Sequence, residues 1–318
     1  MKTGTAICAT IGILIVVGLV LVAPGLLTRH APPPRPLPNP NGYDDFVWAG
    51  QNVTGNPYAA TNESQLRALV ATNAEALRLV RVGLGRECRM PTEYSTNFAG
   101  FLLSRLRSFR DLANTLEAEG RVAEFDRHTN DAAESYLTLI EFGHESGRGG
   151  LFINHQVGLA CQGVGATALR RISSDLDAKT CRSAIAELDL LEQKRETAPE
   201  VMSLETDWSR RTFGLSRRVQ SMIAARSLHP LKRFSDLVQK ETLTSQGQIR
   251  RITIYLAARA YTLDKGAPPE SVSDLVPGYL NTCPQDPFTG TNMPLHPQFI
   301  RNGSAGASGS ETTGSEYW

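Results

Sequence analysis

The chain has 318 residues, room for one large domain or two small ones. Its 33 basic and 32 acidic side chains leave a net charge of +1, which excludes a global electrostatic pull toward nucleic acid or anionic lipid. Aromatics make up only 7%, while Arg, Ala and Leu are frequent, a balance that favours helix over sheet.

Ala6 to Leu27 contains no charged side chain, and Ile11 to Val22 is almost all Ile, Leu and Val. About 20 apolar residues at 1.5 Å each span a hydrocarbon core of roughly 30 Å, so residues 1–30 are expected to form an N-terminal transmembrane anchor. A cleaved signal peptide would have a shorter apolar run and a small-x-small site; here Ala23 is followed by Pro24. The tail before the run is a few residues long, which predicts a cytoplasmic N-terminus and an extracytoplasmic body. Residues 31–42 begin APPPRPLPNPN, a stiff extended spacer that could also serve as a PxxP ligand.

From Tyr43 the apolar spacing turns helical. Tyr43 to Gly50 reads as a short helix with Asp44 and Asp45 at its positive end. Glu63 to Leu84 reads as one amphipathic helix, with Leu66, Leu69, Val70, Leu77 and Val80 on one face. Ser95 to Glu119 and Val122 to Phe142 read as a hairpin turning at Gly120. After the GRGG turn at 147–150, helices are expected at Leu151–Ile172, Asp177–Arg195, Pro199–Arg226, Leu231–Gln239 and Gln246–Leu263. The expected fold is mainly α: an antiparallel helical bundle or irregular α-solenoid over residues 43–263. The Gly120 hairpin loosely suggests a tetratricopeptide-type unit, but no 34-residue pattern recurs.

Residues 264–300 carry a resemblance. Leu263-Asp264-Lys265-Gly266, Pro269-Glu270-Ser271, Leu275-Val276-Pro277, Tyr279-Leu280 and Asp286-Pro287-Phe288-Thr289-Gly290 resemble the stretch of type II secretion pseudopilins in which a long helix leads to a short helix and an Asp-Pro turn. The prepilin-peptidase signal is missing, and this helix lies some 220 residues after the anchor, so the resemblance does not imply a pilus subunit. With NGYDDF, SYLTLIEFG and RGGLFIN, the chain also resembles uncharacterised single-span helical membrane proteins of planctomycete-type bacteria. That resemblance implies no activity. Residues 301–318 read as a Gly/Ser/Thr-rich disordered tail.

Candidate chemistry is sparse. Cys88, Cys161, Cys181 and Cys283 could form disulfides in an oxidising compartment or be buried small hydrophobes. His144, Glu145 and His155 flank the GRGG turn and could converge on an acid/base or metal site, although the HExxH spacing is absent and GRGG lacks the Lys-Ser/Thr of a phosphate loop. Arg210, Arg211, Arg217 and Arg218, like Arg105, Arg107 and Arg110, read as ion-paired or solvated faces, with an anionic partner or lipid headgroup as the alternative. The pseudopilin resemblance, extended to Asp264 and Asp286, would imply calcium binding there, whereas Asp286-Pro287-Phe288-Thr289-Gly290 makes a good turn without metal.

No residues are assigned as catalytic, cofactor-binding or metal-binding. The expected function is a membrane-anchored scaffold or protein-interaction module of the bacterial cell envelope, partnered by the bilayer through residues 6–27 and by a protein, not by nucleic acid. The alternatives are an anchored hydrolase or metal-dependent enzyme, and a secretion or pilus-assembly accessory.

Overall fold

The computed structural model describes residues 36–95, 97–226 and 229–295, with side chains except at 99 and within 214–231. Nine α-helices fill most of this length: α1 (Gly42–Gln51), α2 (Glu63–Thr72), α3 (Ala74–Leu84), α4 (Phe98–Phe125), α5 (Thr129–Gly147), α6 (Phe152–Ile172), α7 (Ala178–Gln193), α8 (Ala198–Arg226) and α9 (His229–Lys265). Among the described residues, the only β pairing is an isolated bridge between Gln285 and Asn292. The mainly helical expectation holds. The predicted anchor and the tail lie outside the described residues; within them, no helix is long and apolar enough to cross a membrane.

Local chemistry starts the helices where the sequence suggests. The Asn41 carboxamide oxygen accepts from the Tyr43 N–H at the head of α1. Asn62 and Gln65 form a reciprocal capping box on α2, and Asp177 caps α7 by accepting from the Thr180 N–H (2.7 Å).

Three boundaries differ from expectation. The helix expected across 63–84 is split at Asn73, which is buried. Its amide group donates to the carbonyls of Leu69 (2.8 Å) and Thr54 (3.1 Å) and accepts from the Thr54 N–H (2.8 Å), so it ties the chain break to the preceding loop. Gly120 ends nothing: α4 runs through it to Phe125, and the hairpin turn falls at 126–128, where Arg127 has φ +61°. A Cβ on Gly120 would lie 2.3 Å from a ring carbon of Tyr136, so this glycine lets α5 approach α4. The two helices expected at 231–239 and 246–263 are one, α9, with Pro230 in its first turn, where the lost N–H costs nothing.

Two large apolar clusters form most of the core, beside a small third one of Leu66, Leu69 and Ala118. One gathers α1, α3 and α4 on one side of α5, and edge-to-face rings tie α1, α4 and α5 together within it: Tyr43 on Phe109 (5.5 Å), Phe46 on Phe142 (5.2 Å) and Phe109 on Phe142 (5.6 Å). The other gathers Tyr136 and Ile140 of α5, Leu169 of α6, Leu188 of α7 and Leu256 of α9. The C-terminal segment joins this second cluster: Val272, Leu275, Leu280 and Met293 are buried in it. Tyr279 donates its hydroxyl to Asp264 (2.8 Å), which also pairs with Arg182, and Arg250 donates to the Gln285 carbonyl (2.6 Å). Asp286 caps its own turn by accepting from the N–H groups of Phe288 (2.8 Å) and Thr289 (3.0 Å).

The bundle has two ends. At one, the 126–128 turn meets the start of α7, where Asn130 donates to Asp177 (2.8 Å). At the other lie the 85–95 loop, the GRGG turn and the 194–197 connection. The proline-rich spacer is fastened to this second end. The Arg89 guanidinium donates to the Pro36 carbonyl (2.8 Å), the Asn41 amide donates to the Arg89 carbonyl (2.8 Å) and accepts from the Arg89 N–H (3.0 Å), and the Gly42 N–H donates to Glu87 (3.0 Å). From Pro36 onward the spacer is therefore part of the body rather than a free standoff.

Candidate functional site

The polar residues singled out around the GRGG turn lie near this latched end. α5 and α6 run antiparallel on either side of the turn and approach closely, since a Cβ on Gly158 would lie 2.4 Å from the Gly143 carbonyl oxygen. His144 and His155, both buried, line a small cleft here with Gln162 of α6 and Arg195 and Glu196 from the α7–α8 connection. Glu145 does not line the cleft, but it accepts from His144 Nδ1 (3.1 Å) and from Arg148 (3.3 Å).

Hydrogen bonding assigns the His155 tautomer. Thr242 donates its hydroxyl to the Val238 carbonyl (2.8 Å), so its oxygen accepts from His155 Nε2 (3.0 Å). Burial, with the charges of Arg195 and His144, pushes the imidazole pKa down to about 4. At neutral pH His155 is therefore uncharged, with its lone pair on Nδ1. Arg195 is nearly buried, with a side chain 7% exposed, and donates through Nε to Glu192 (2.9 Å). Glu192 also accepts from Gln246 and Arg250 of α9.

The carboxylates divide by environment. Burial pushes Glu145 up, but His144 and Arg148 outweigh it and hold the group below the usual carboxylate range. Burial raises Glu196, partly offset by the Gly149 N–H, which donates to both of its oxygens (3.0 and 3.1 Å). Burial and the neighbouring Glu145 and Glu187 push Glu141 up to about 7. The GRGG turn thus cradles an internal carboxylate, and Glu205 of α8 likewise accepts from the Phe152 N–H at the head of α6 (3.0 Å).

The cleft has a volume of about 10 Å³, enough for roughly one water molecule. The lining includes both Arg195 and the neutral His155. Among the described residues, no group of three or more His, Cys, Asp or Glu is placed to hold a metal ion. The four cysteines of the body are unpaired, and burial pushes the thiols of Cys88, Cys161 and Cys181 up to about 12, which makes them inert small hydrophobes. Asp264 and Asp286 are engaged as described above.

Sequence reasoning found His144 and His155 because they flank one turn. It missed Arg195, Glu196 and Thr242, which come from elements far along the chain. Only Gln162, two helical turns after His155, carried a local signal. The chain matches no protein-family model, no curated protein and no solved structure.

Proposed function

We propose that this chain is a membrane-anchored helical scaffold or protein-interaction module of a bacterial cell envelope. The observation that carries the reading is the fastening of the spacer to the body. Ala6 to Leu27 is an uncharged apolar run, and only residues 28–35 separate it from Pro36, where Arg89 and Asn41 tie the chain to the bundle. An anchor coupled to a body through so short a stretch holds that body close to the bilayer, at about 3.1 Å per residue of extended chain. A helical body of this kind offers long surfaces to a partner. Crosslinking with mass spectrometry in native membranes tests the reading. It predicts a recurrent protein partner crosslinked to the helical body; a membrane-bound chain with no recurrent partner would count against it.

A second reading, an anchored hydrolase, is favoured by the meeting of His144 and His155 on one cleft. It requires the cleft to widen, since about one water fits there. A His155→Gln variant that leaves every measurable hydrolytic activity of the purified chain unchanged would remove this reading.

A further inference from the structure

The packing of α9 changes character at Gly247. After it, Ile249, Ile252, Leu256, Ala257 and Ala260 are buried in the second apolar cluster. Before it, no described side chain of α9 enters any of the three clusters. Val238 is buried outside them, and Phe234 touches the body edge-to-face on Phe152 at 4.7 Å. The bonds between this part of α9 and α6 are polar. Glu241 accepts from Gln156 (2.9 Å), Thr242 accepts from His155 (3.0 Å), and Ser245 donates to Gln162 (3.4 Å). Two of these α6 residues, His155 and Gln162, line the small cleft. Such bonds can be exchanged for bonds to water, so parting them costs far less than exposing an apolar core.

Packing does not account for Gly247. A Cβ on Gly120 or Gly158 would strike a neighbour, but one on Gly247 would rest 3.5 Å from the Pro287 ring, an ordinary contact. The position has room for alanine, the better helix former, yet carries the residue at which a helix bends most easily. It stands where the polar attachment of α9 gives way to the apolar one.

We propose that residues 234–246 form a flap that swings about Gly247 and uncovers the cleft. Opening parts the polar bonds to α6 and leaves the apolar packing of α9 after Gly247 in place. It brings the Nδ1 lone pair of His155, with His144 and Arg195, to solvent. A cleft that holds about one water when closed thereby becomes reachable from solution. The flap does not depend on the tether reading, and it supplies the widening that the hydrolase reading requires.

Acylation by diethyl pyrocarbonate, which attacks the unprotonated nitrogen of an accessible imidazole, tests this on the purified full chain, read peptide by peptide by mass spectrometry. His128, with a side chain 67% exposed, is the internal reference. The expected result is slow but complete modification of His155. Gly247→Ala should slow it about five-fold, the factor by which alanine favours a helix over glycine at one site. Gly100→Ala gains the same propensity in α4, away from the cleft, and should leave the rate unchanged. An unmodified His155 once His128 has fully reacted overturns the flap. Equal slowing by both variants also overturns it, because His155 is then reached only through global unfolding, and so does no slowing by Gly247→Ala. Amide exchange of the unaltered chain is a second measurement that needs no variant. The N–H groups of residues 248–251, whose helical bonds cross Gly247, should exchange about ten-fold faster than those of 252–260, and uniform protection across both overturns the flap. Acylation in the expected pattern without hydrolytic activity supports the flap and removes only the hydrolase reading.

Discussion

Glu141 and His155 titrate in opposite senses, and each leaves a mark on stability. Glu141 is half-buried, and its folded pKa, about 7, lies above its unfolded value. A raised carboxyl pKa contributes stability that is full below about pH 4.5 and lost as pH rises through 7. Glu141→Gln should therefore raise the unfolding free energy at pH 8 by about 1–2 kcal/mol, discounted for partial exposure, and the gain should vanish below the unfolded pKa. Denaturant titrations at several pH values measure it. His155 behaves in reverse. Its folded pKa, about 4, lies below the ordinary imidazole value of 6.5, so its contribution is full above 6.5 and is lost as pH falls through 4. Thr242→Val removes the acceptor of His155 Nε2 and should cost about 1–3 kcal/mol at neutral pH by leaving a buried N–H unpaired. A cost near zero would mean that the cleft supplies a substitute partner.

At the scale of elements, glycines separate a reading of local propensity from one of packing. Gly120 and Gly100 both lie within α4. An alanine methyl at Gly100 meets nothing within 4 Å, whereas at Gly120 it would strike the ring of Tyr136, which is buried and held by Glu124 and Arg171. Gly100→Ala should stabilise by up to about 1 kcal/mol, since alanine is the better helix former. Gly120→Ala should destabilise by about 1–3 kcal/mol, because overpacking against a fixed ring outweighs that gain. Equal effects at the two sites would contradict the packing of α4 on α5. The same pair shows why the sequence reveals helices more readily than their ends. Apolar spacing located α4–α7, but a glycine tolerated for close approach looks the same in sequence as one that stops a helix. Asn73 was equally opaque: its break is set by bonds to Thr54, nineteen residues away. The continuity of α9 across 240–245 lacked apolar periodicity, but buried Thr242 and Ser245 face His155 and Gln162 there.

In the whole molecule, two apolar clusters share α5 and α6, and the spacer, the GRGG turn, Trp208 of α8 and Phe234 of α9 meet at one end. The helical class was legible from composition and periodicity because both are local properties. The meeting of these parts was not, because it depends on contacts such as Arg89 with Pro36 and Trp208 with Glu93, far apart in sequence. The account stands on the apolar run from Ala6 to Leu27 acting as an anchor for this body. Alkaline carbonate extraction of membranes from cells expressing the full chain tests that claim most directly. The account predicts that the full chain stays in the membrane pellet and that a variant lacking residues 6–27 is released to the supernatant. Release of the intact full chain would contradict it.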